Sequence, residues 1–161
     1  MSLALTIRQD DLTDERSRAL VRRHLSGMHA NSPAESVHAL GIEKLRAVDI
    51  AFWTAWQGEE CVACGALKTL DATNGEIKSM RVADAWLGKG CGRAMLGHIL
   101  SVARERKIRT LWLETGSGEA FTPAHRLYLS VGFTFCGPFG EYKVDPFSRF
   151  MTLDLYTSTA S

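Results

Sequence analysis

The sequence of 161 residues fits one domain that is large enough to bury a hydrophobic core. Its 45% hydrophobic and 23% charged residues are typical of an ordinary globular protein. The 19 Lys and Arg against 18 Asp and Glu give a formal net charge of +1, which disfavours binding to the phosphate backbone of nucleic acid.

No apolar run approaches the roughly 20 residues that span a bilayer, and residues 1–8 lack the features of a signal peptide. We therefore expect a cytoplasmic protein without membrane contact, whose four cysteines are thiols. Cys61 and Cys64 form a CxxC pair, which is compatible with a redox dithiol or half of a zinc site. Within an apolar strand the two side chains should instead point to opposite faces and act as small buried hydrophobic residues.

Hydrophobic patterning predicts a mainly antiparallel first half. Thr13 is a candidate N-cap for the first helix of this half. The predicted elements are a strand at 3–8, helices at 14–28 and 43–46, and strands at 50–56, 61–70 and 76–82.

The hydrophobic pattern of the second half predicts a strand-helix-strand crossover, and the two halves together indicate the α+β fold class. We expect residues 1–155 to form a single domain and 156–161 to be a frayed, disordered tail. The predicted elements are a helix after Gly92 with apolar residues from Met95 to Ala103, a strand at 110–114, a helix at 123–130, and strands at 133–136 and 150–155.

Gly88, Gly90 and Gly92 alternate between a predicted strand and a predicted helix. Glycines leave backbone N–H groups unobstructed, and a helix N-terminus carries partial positive charge, so this turn suits a pyrophosphate. The GxGxG spacing fits neither the GxGxxG of dinucleotide folds nor a Walker loop. A purely structural turn at the helix start is the alternative that the residues leave open.

Two stretches resemble known signatures. Residues 76–82 with 88–96 are similar to the acetyl-CoA signature of the GNAT acetyltransferases, and 124–133 resemble that family's second signature, A-x-x-L-Y-x-x-x-G-F. The resemblance covers roughly residues 50–155. It implies the GNAT acyltransferase fold, a mixed central sheet of about six to seven strands flanked by about four helices. It also implies acetyl-CoA as cosubstrate and no metal.

The resemblance implies that main-chain groups of Met80 and Val82 bind the pantetheine arm, as an added strand would. Leu87 departs from the family pattern, which usually has a polar residue there. Residues 31–40 and 136–146 also resemble a poorly characterised GNAT subgroup, without naming a substrate. The implied cofactor-binding residues are Met80, Arg81, Val82, Leu87, Gly88, Lys89, Gly90, Cys91, Gly92 and Arg93.

Acetyl transfer to an amine requires loss of a proton from the ammonium and delivery of a proton to the departing thiolate. Glu76 is the first candidate for the general base and Glu114 the second; a solvated acid at a strand start is the alternative for Glu76. By resemblance, Tyr128 is the general acid. A half-buried tyrosine bonded to a backbone carbonyl is the alternative for Tyr128.

These observations predict an N-acetyltransferase that moves an acetyl group from acetyl-CoA to a primary amine of a small-molecule or peptide acceptor. Direct attack in a ternary complex is expected, because neither Cys91 nor Cys136 is placed to form an acyl-enzyme. The alternative is a non-catalytic protein of GNAT fold that binds or senses acyl-CoA. A homodimer is possible, because exposed sheet edges can pair.

Overall fold

The computed structural model describes residues 4–156, so the expected tail at 156–161 lies outside the described residues apart from Tyr156. The expected α+β class is confirmed by a seven-stranded mixed sheet with helices on both faces. The strands are β1 Thr6–Gln9, β2 Ile50–Gln57, β3 Glu60–Thr69, β4 Asn74–Val82, β5 Thr110–Gly116, β6 Thr134–Cys136 and β7 Ser148–Asp154. The α-helices are α1 Glu15–Asn31, α2 Ile42–Leu45, α3 Cys91–Glu105 and α4 Thr122–Ser130.

The strands lie in the order β1-β2-β3-β4-β5-β7-β6. All neighbouring pairs are antiparallel except β4 and β5, which need a crossover because they are parallel, and α3 lies in that crossover. Their ladder runs only from Asn74 opposite Thr110 to Glu76 opposite Trp112. Beyond Glu76 and Trp112 the two strands do not pair, so a gap opens in the sheet at their carboxyl ends.

Two hydrophobic clusters cover the two faces of the sheet. The first cluster packs residues of α3 and α4, including Met95 and Tyr128, against Ile77 of β4; we call this side the α3 face. The second packs residues of α1 and α2, including Leu20 and Leu45, against the sheet; we call this side the α1 face. Alternating residues of β4 therefore face two different helical layers.

An irregularity in β4 resets this alternation. Ser79 has a φ of +56°, and the ladder with β3 shifts register between Cys64 and Ala66. Met80 and Val82 consequently contact the cluster on the α3 face, as Ile77 does.

The N-cap of α1 differs from the prediction. Asp14, not Thr13, caps the helix, because its Oδ1 accepts the backbone N–H of Arg16 at 2.8 Å. The Thr13 hydroxyl donates instead to Asp11 at 2.7 Å, which removes it from the helix end.

The prediction that Cys61 and Cys64 point to opposite faces is wrong. Both contact the cluster on the α1 face, because the β2–β3 ladder shifts register between Ala55 and Trp56. Both are free thiols, as expected. Burial raises the pKa of the Cys61 thiol to about 12 and raises that of Cys64 as well, which makes both poor nucleophiles.

Candidate active site

The glycine turn begins α3. Gly88 and Gly90 have φ values of +75° and +89°, and a Cβ on either would meet nothing within 4 Å. Backbone conformation, not space, therefore requires glycine at these two positions. The first backbone hydrogen bond of α3 is donated by the N–H of Ala94 to the carbonyl of Gly90 at 3.0 Å. The N–H groups between these residues have no partner inside the helix and form a site suited to an anion.

Gly92 lies where α3 approaches its neighbours closely. A Cβ there would sit 3.3 Å from Leu127 Cδ2 of α4 and 3.3 Å from Val82 Cγ2 of β4. The absence of a side chain lets the start of α3 pack beside the end of β4. The turn that is the candidate pyrophosphate site and the strand that is the candidate pantetheine site are therefore adjacent.

Side chains around this turn differ in exposure. Leu87 is 62% exposed, and Lys89 is exposed at the tip of the turn. Arg93 donates from Nη2 to Ser130 Oγ of α4 at 2.9 Å, which holds a cation near the helix N-terminus. Cys91 is buried, and burial raises the pKa of its thiol.

The end of β4 presents its backbone to the gap. No strand in the described part of the chain pairs with the β5-facing edge of β4 beyond Glu76. The Arg81 side chain points away from the gap and lies on the α1 face, where its Nε donates to His24 Nδ1 at 3.1 Å. Burial, with a further contribution from the Arg81 charge, lowers the pKa of His24 to about 3. Arg81 can thus contribute main-chain groups to the gap while its side chain holds α1.

Tyr128 lies on the α3 face and is 6% exposed, with its ring edge to Phe133 at a centroid distance of 5.6 Å. Its hydroxyl makes no hydrogen bond to any residue between 4 and 156, so the alternative of a bond to a backbone carbonyl is not found there. Burial raises the pKa of Tyr128 well above its ordinary value. The phenol therefore stays protonated, as a proton donor must.

Glu76 lies on the α1 face and is only 4% exposed, so the alternative of a solvated acid is wrong. Its Oε2 accepts the Tyr142 hydroxyl at 2.6 Å and the Lys78 ammonium at 3.1 Å. Lys78 Nζ also donates to the Tyr142 oxygen at 3.0 Å, which closes a triangle of three polar groups. A buried carboxylate needs such partners, because leaving water is costly for a charge.

Glu114 lies two residues beyond Trp112, the register partner of Glu76, and therefore on the same face of the sheet. Its Oε2 accepts the Ser148 hydroxyl at 2.7 Å and lies 3.5 Å from His38 Nδ1. Burial raises the pKa of Glu114, and the contacts with Ser148 and His38 offset part of that rise. The two carboxylates named from the sequence thus share one side of the molecule.

An open cavity of about 710 Å³ lies above Glu76 and Lys78. One wall is the segment 31–40, and the opposite wall is the loop 137–147 between β6 and β7. Ser36 Oγ of the first wall donates to Asp145 Oδ2 of the second at 2.6 Å, and this hydrogen bond joins the two walls. The two segments that resemble a GNAT subgroup therefore meet each other over the carboxylates.

The structure separates the predicted catalytic residues between the two faces. Tyr128 lies with the glycine turn on the α3 face, and Glu76 lies with Glu114 on the α1 face. The end of the β4–β5 ladder lies at Glu76. Sequence reasoning missed the roles of Lys78 and Tyr142. Strand alternation could have placed Lys78 beside Glu76, whereas no local signal links Tyr142 to a residue 66 positions away.

Within residues 4–156, no group of three or more His, Cys, Asp or Glu side chains is arranged to hold a metal ion. In the same range, no helix has the length and apolar character needed to cross a membrane.

Comparison with known proteins gives consistent matches. The model of the acetyltransferase (GNAT) family matches residues 11–133. The chain is 49% identical to the uncharacterised N-acetyltransferase YedL of Escherichia coli strain K12, over 93% of this chain and 94% of YedL. It is 51% identical to the uncharacterised N-acetyltransferase YsnE of Bacillus subtilis strain 168, over 92% of this chain and 99% of YsnE.

Solved structures share the fold. One described as an acyl-CoA N-acyltransferase from Klebsiella pneumoniae matches with a TM-score of 0.78 and 25% identity, covering 96% of this chain and 100% of that one. An acetyltransferase from Elizabethkingia anophelis, solved with acetyl-CoA bound, matches with a TM-score of 0.67 and 18% identity, covering 93% of this chain and 97% of that one.

Proposed function

Because this chain belongs to the GNAT acetyltransferase family, we propose that it transfers an acetyl group from acetyl-CoA to a primary amine of a small molecule or peptide. The observation that carries the proposal is the gap between β4 and β5. A helix N-terminus borders it on the α3 face, and a cavity lined by the buried carboxylate of Glu76 borders it on the α1 face. A cofactor and an amine can therefore approach from opposite sides. We place the reaction in the cytoplasm.

The cofactor is bound mainly by backbone. The free N–H groups at the start of α3 take the pyrophosphate, with Lys89 and Arg93 adding positive charge. The unpaired edge of β4 at Met80 and Val82 takes the pantetheine arm as an added strand. Leu87 contributes no polar side chain, and backbone donors make this loss tolerable.

The amine enters from the cavity and meets Glu76. An ammonium with a pKa of roughly 10 must lose a proton before it can attack. Glu76 accepts this proton, and the freed lone pair of nitrogen attacks the thioester carbonyl carbon. A backbone N–H near Val82 stabilises the oxyanion that forms. Glu114 lies on the same face and is the second candidate for this proton.

Tyr128 completes the transfer. As the tetrahedral intermediate collapses, the C–S bond breaks and the thiolate takes the proton of the Tyr128 hydroxyl. The phenolate regains a proton from the former amine nitrogen, and Glu76 releases its proton to solvent, so the protons balance. Transfer is direct, because burial raises the pKa of the Cys91 and Cys136 thiols, which keeps both in the poorly nucleophilic protonated form.

The cofactor claim is tested by calorimetric titration of the protein with acetyl-CoA and with desulfo-CoA. We expect saturable binding of both, because the pyrophosphate and pantetheine contacts do not need sulfur. Binding of neither ligand would overturn the proposal. A screen of primary amines then tests transfer, and cofactor binding without any transfer would favour the non-catalytic acyl-CoA sensor.

The role of the phenol is tested by Tyr128→Phe, which removes one oxygen from a buried ring. We expect turnover to fall at least about 100-fold, the lower end for loss of an acid catalyst, with unchanged acetyl-CoA affinity. Turnover equal to that of the wild type would remove Tyr128 from the mechanism.

A further inference from the structure

The loop 137–147 between β6 and β7 carries a side chain that contacts the proposed base directly. Tyr142 donates to Glu76 Oε2 at 2.6 Å, and Lys78 donates to the same oxygen at 3.1 Å. Glu76 Oε1 makes no hydrogen bond to any residue in the described range 4–156. One carboxylate oxygen is thus held by two donors, and the other is available to a bound molecule.

The ring of Tyr142 is itself held in place. It lies edge to His38 at a centroid distance of 5.1 Å and edge to Phe139 at 5.0 Å, and it packs against Phe150 at 5.5 Å. Phe139 in turn packs on Trp112 at 5.4 Å, beside Glu76 in the β4–β5 register. The phenol cannot swing away from Glu76 without breaking contacts with several elements, which is the support that a positioning group requires.

We propose that Tyr142 is a positioning residue for acetyl transfer: together with Lys78 it holds Oε2 of Glu76, so that Oε1 is the atom that takes the proton from the acceptor amine. This inference rests on the proposed function. Without the two donors, the carboxylate could rotate about its terminal bond and present either oxygen. With them, its orientation is set before the amine arrives, which lowers the cost of reaching a reactive geometry.

The same two hydrogen bonds replace water around the buried Glu76 carboxylate. Tyr142 remains a donor throughout, because burial and the hydrogen bond to Glu76 raise the pKa of its phenol. His38 reaches Tyr142 from the segment 31–40, so both walls of the cavity support one hydrogen bond.

Tyr142→Phe tests the proposal, because it keeps the ring contacts and removes only the hydroxyl. Tyr156→Phe is the matched control, since it removes a tyrosine hydroxyl outside the cavity. The kcat, the KM for the amine and the acetyl-CoA Kd are measured for each protein with an amine that the wild type acetylates.

For Tyr142→Phe we expect kcat to fall about tenfold, because a carboxylate that is no longer oriented reaches the reactive geometry less often. The KM for the amine and the acetyl-CoA Kd should stay unchanged, because binding does not need that orientation. Lys78→Met should lower kcat in the same way, and Tyr156→Phe should leave all three constants at their wild-type values.

Three results would overturn the inference. An unchanged kcat in Tyr142→Phe would show that the phenol does not position the carboxylate. A raised KM for the amine with an unchanged kcat would show that the contact only anchors the loop. A wild-type protein that binds acetyl-CoA and acetylates no amine would overturn the proposed function itself, and the hydrogen bond would then be structural.

Discussion

The two faces of the sheet are built by different means. On the α3 face, the candidate cofactor site consists of backbone from one continuous stretch, and its key residues are glycines with positive φ. On the α1 face, the candidate acceptor site consists of side chains from segments far apart in the chain, with Ser36 bonded to Asp145 and Tyr142 bonded to Glu76. A backbone site needs local conformation, whereas a side-chain site needs the whole fold. Backbone strain should therefore weaken ligand binding at the cofactor site. Loss of side-chain contacts or of charge should weaken the acceptor site.

The largest effect is expected from breaking the backbone site with Gly90→Val. A β-branched residue at a φ of +89° is strained by roughly 1–3 kcal/mol, and relief of that strain would turn the N–H groups of α3 away from the ligand. We expect acetyl-CoA affinity, measured by calorimetry, to fall at least about 100-fold, which corresponds to about 2.7 kcal/mol.

Gly97→Ala is the matched control for this prediction. Gly97 lies in the same helix and is exposed, and the added methyl group has room, since a Cβ there would meet nothing within 4 Å. The substitution should leave acetyl-CoA binding unchanged and raise the unfolding free energy by roughly 0.5–1 kcal/mol through helix propensity. Wild-type affinity in Gly90→Val would contradict a backbone pyrophosphate site.

The same contrast explains what the sequence could predict. The α+β class, the helices and strands to within a few residues and the GNAT resemblance follow from local periodicity and from signatures such as Gly88 to Gly92, and these were confirmed. The pairing of Tyr142 with Glu76 could not be predicted, because it depends on where a long irregular loop returns to the sheet. The faces of Cys61 and Cys64 were mispredicted for a related reason, since a ladder shift overrides simple alternation.

The next largest effect is a loss of folding stability at low pH, which we expect from the buried His24 on the α1 face. Its folded pKa of about 3 lies below the ordinary value near 6.5, so folding favours the neutral imidazole that accepts the Arg81 hydrogen bond. Stability from this group is complete above pH 6.5 and is lost as pH falls toward 3. Between pH 7.5 and pH 5 the loss should be about 2 kcal/mol, measured by urea denaturation at each pH.

His24→Gln isolates this contribution, because an amide oxygen can accept from Arg81 and does not titrate in this range. The variant should lose about 2 kcal/mol less than the wild type between the two pH values. His29→Gln, at an exposed position of the same helix, should behave as the wild type does. A His24→Gln protein with the same acid destabilisation as the wild type would place the pH dependence elsewhere.

The smallest effect is expected where the two walls of the cavity meet. Ser36→Ala removes the hydroxyl that donates to Asp145 at 2.6 Å, while Asp145 keeps its bond to the N–H of Phe147 at 2.8 Å. Loss of one hydrogen bond between the walls should loosen the acceptor pocket and raise the KM for the amine about threefold to fivefold. The acetyl-CoA Kd should stay unchanged, because the cofactor site on the α3 face does not share this contact.

Asp145→Asn keeps an acceptor oxygen and should raise KM less than Ser36→Ala does. If Ser36→Ala instead weakens acetyl-CoA binding and amine binding equally, the two faces are coupled, and the division between a backbone site and a side-chain site does not hold.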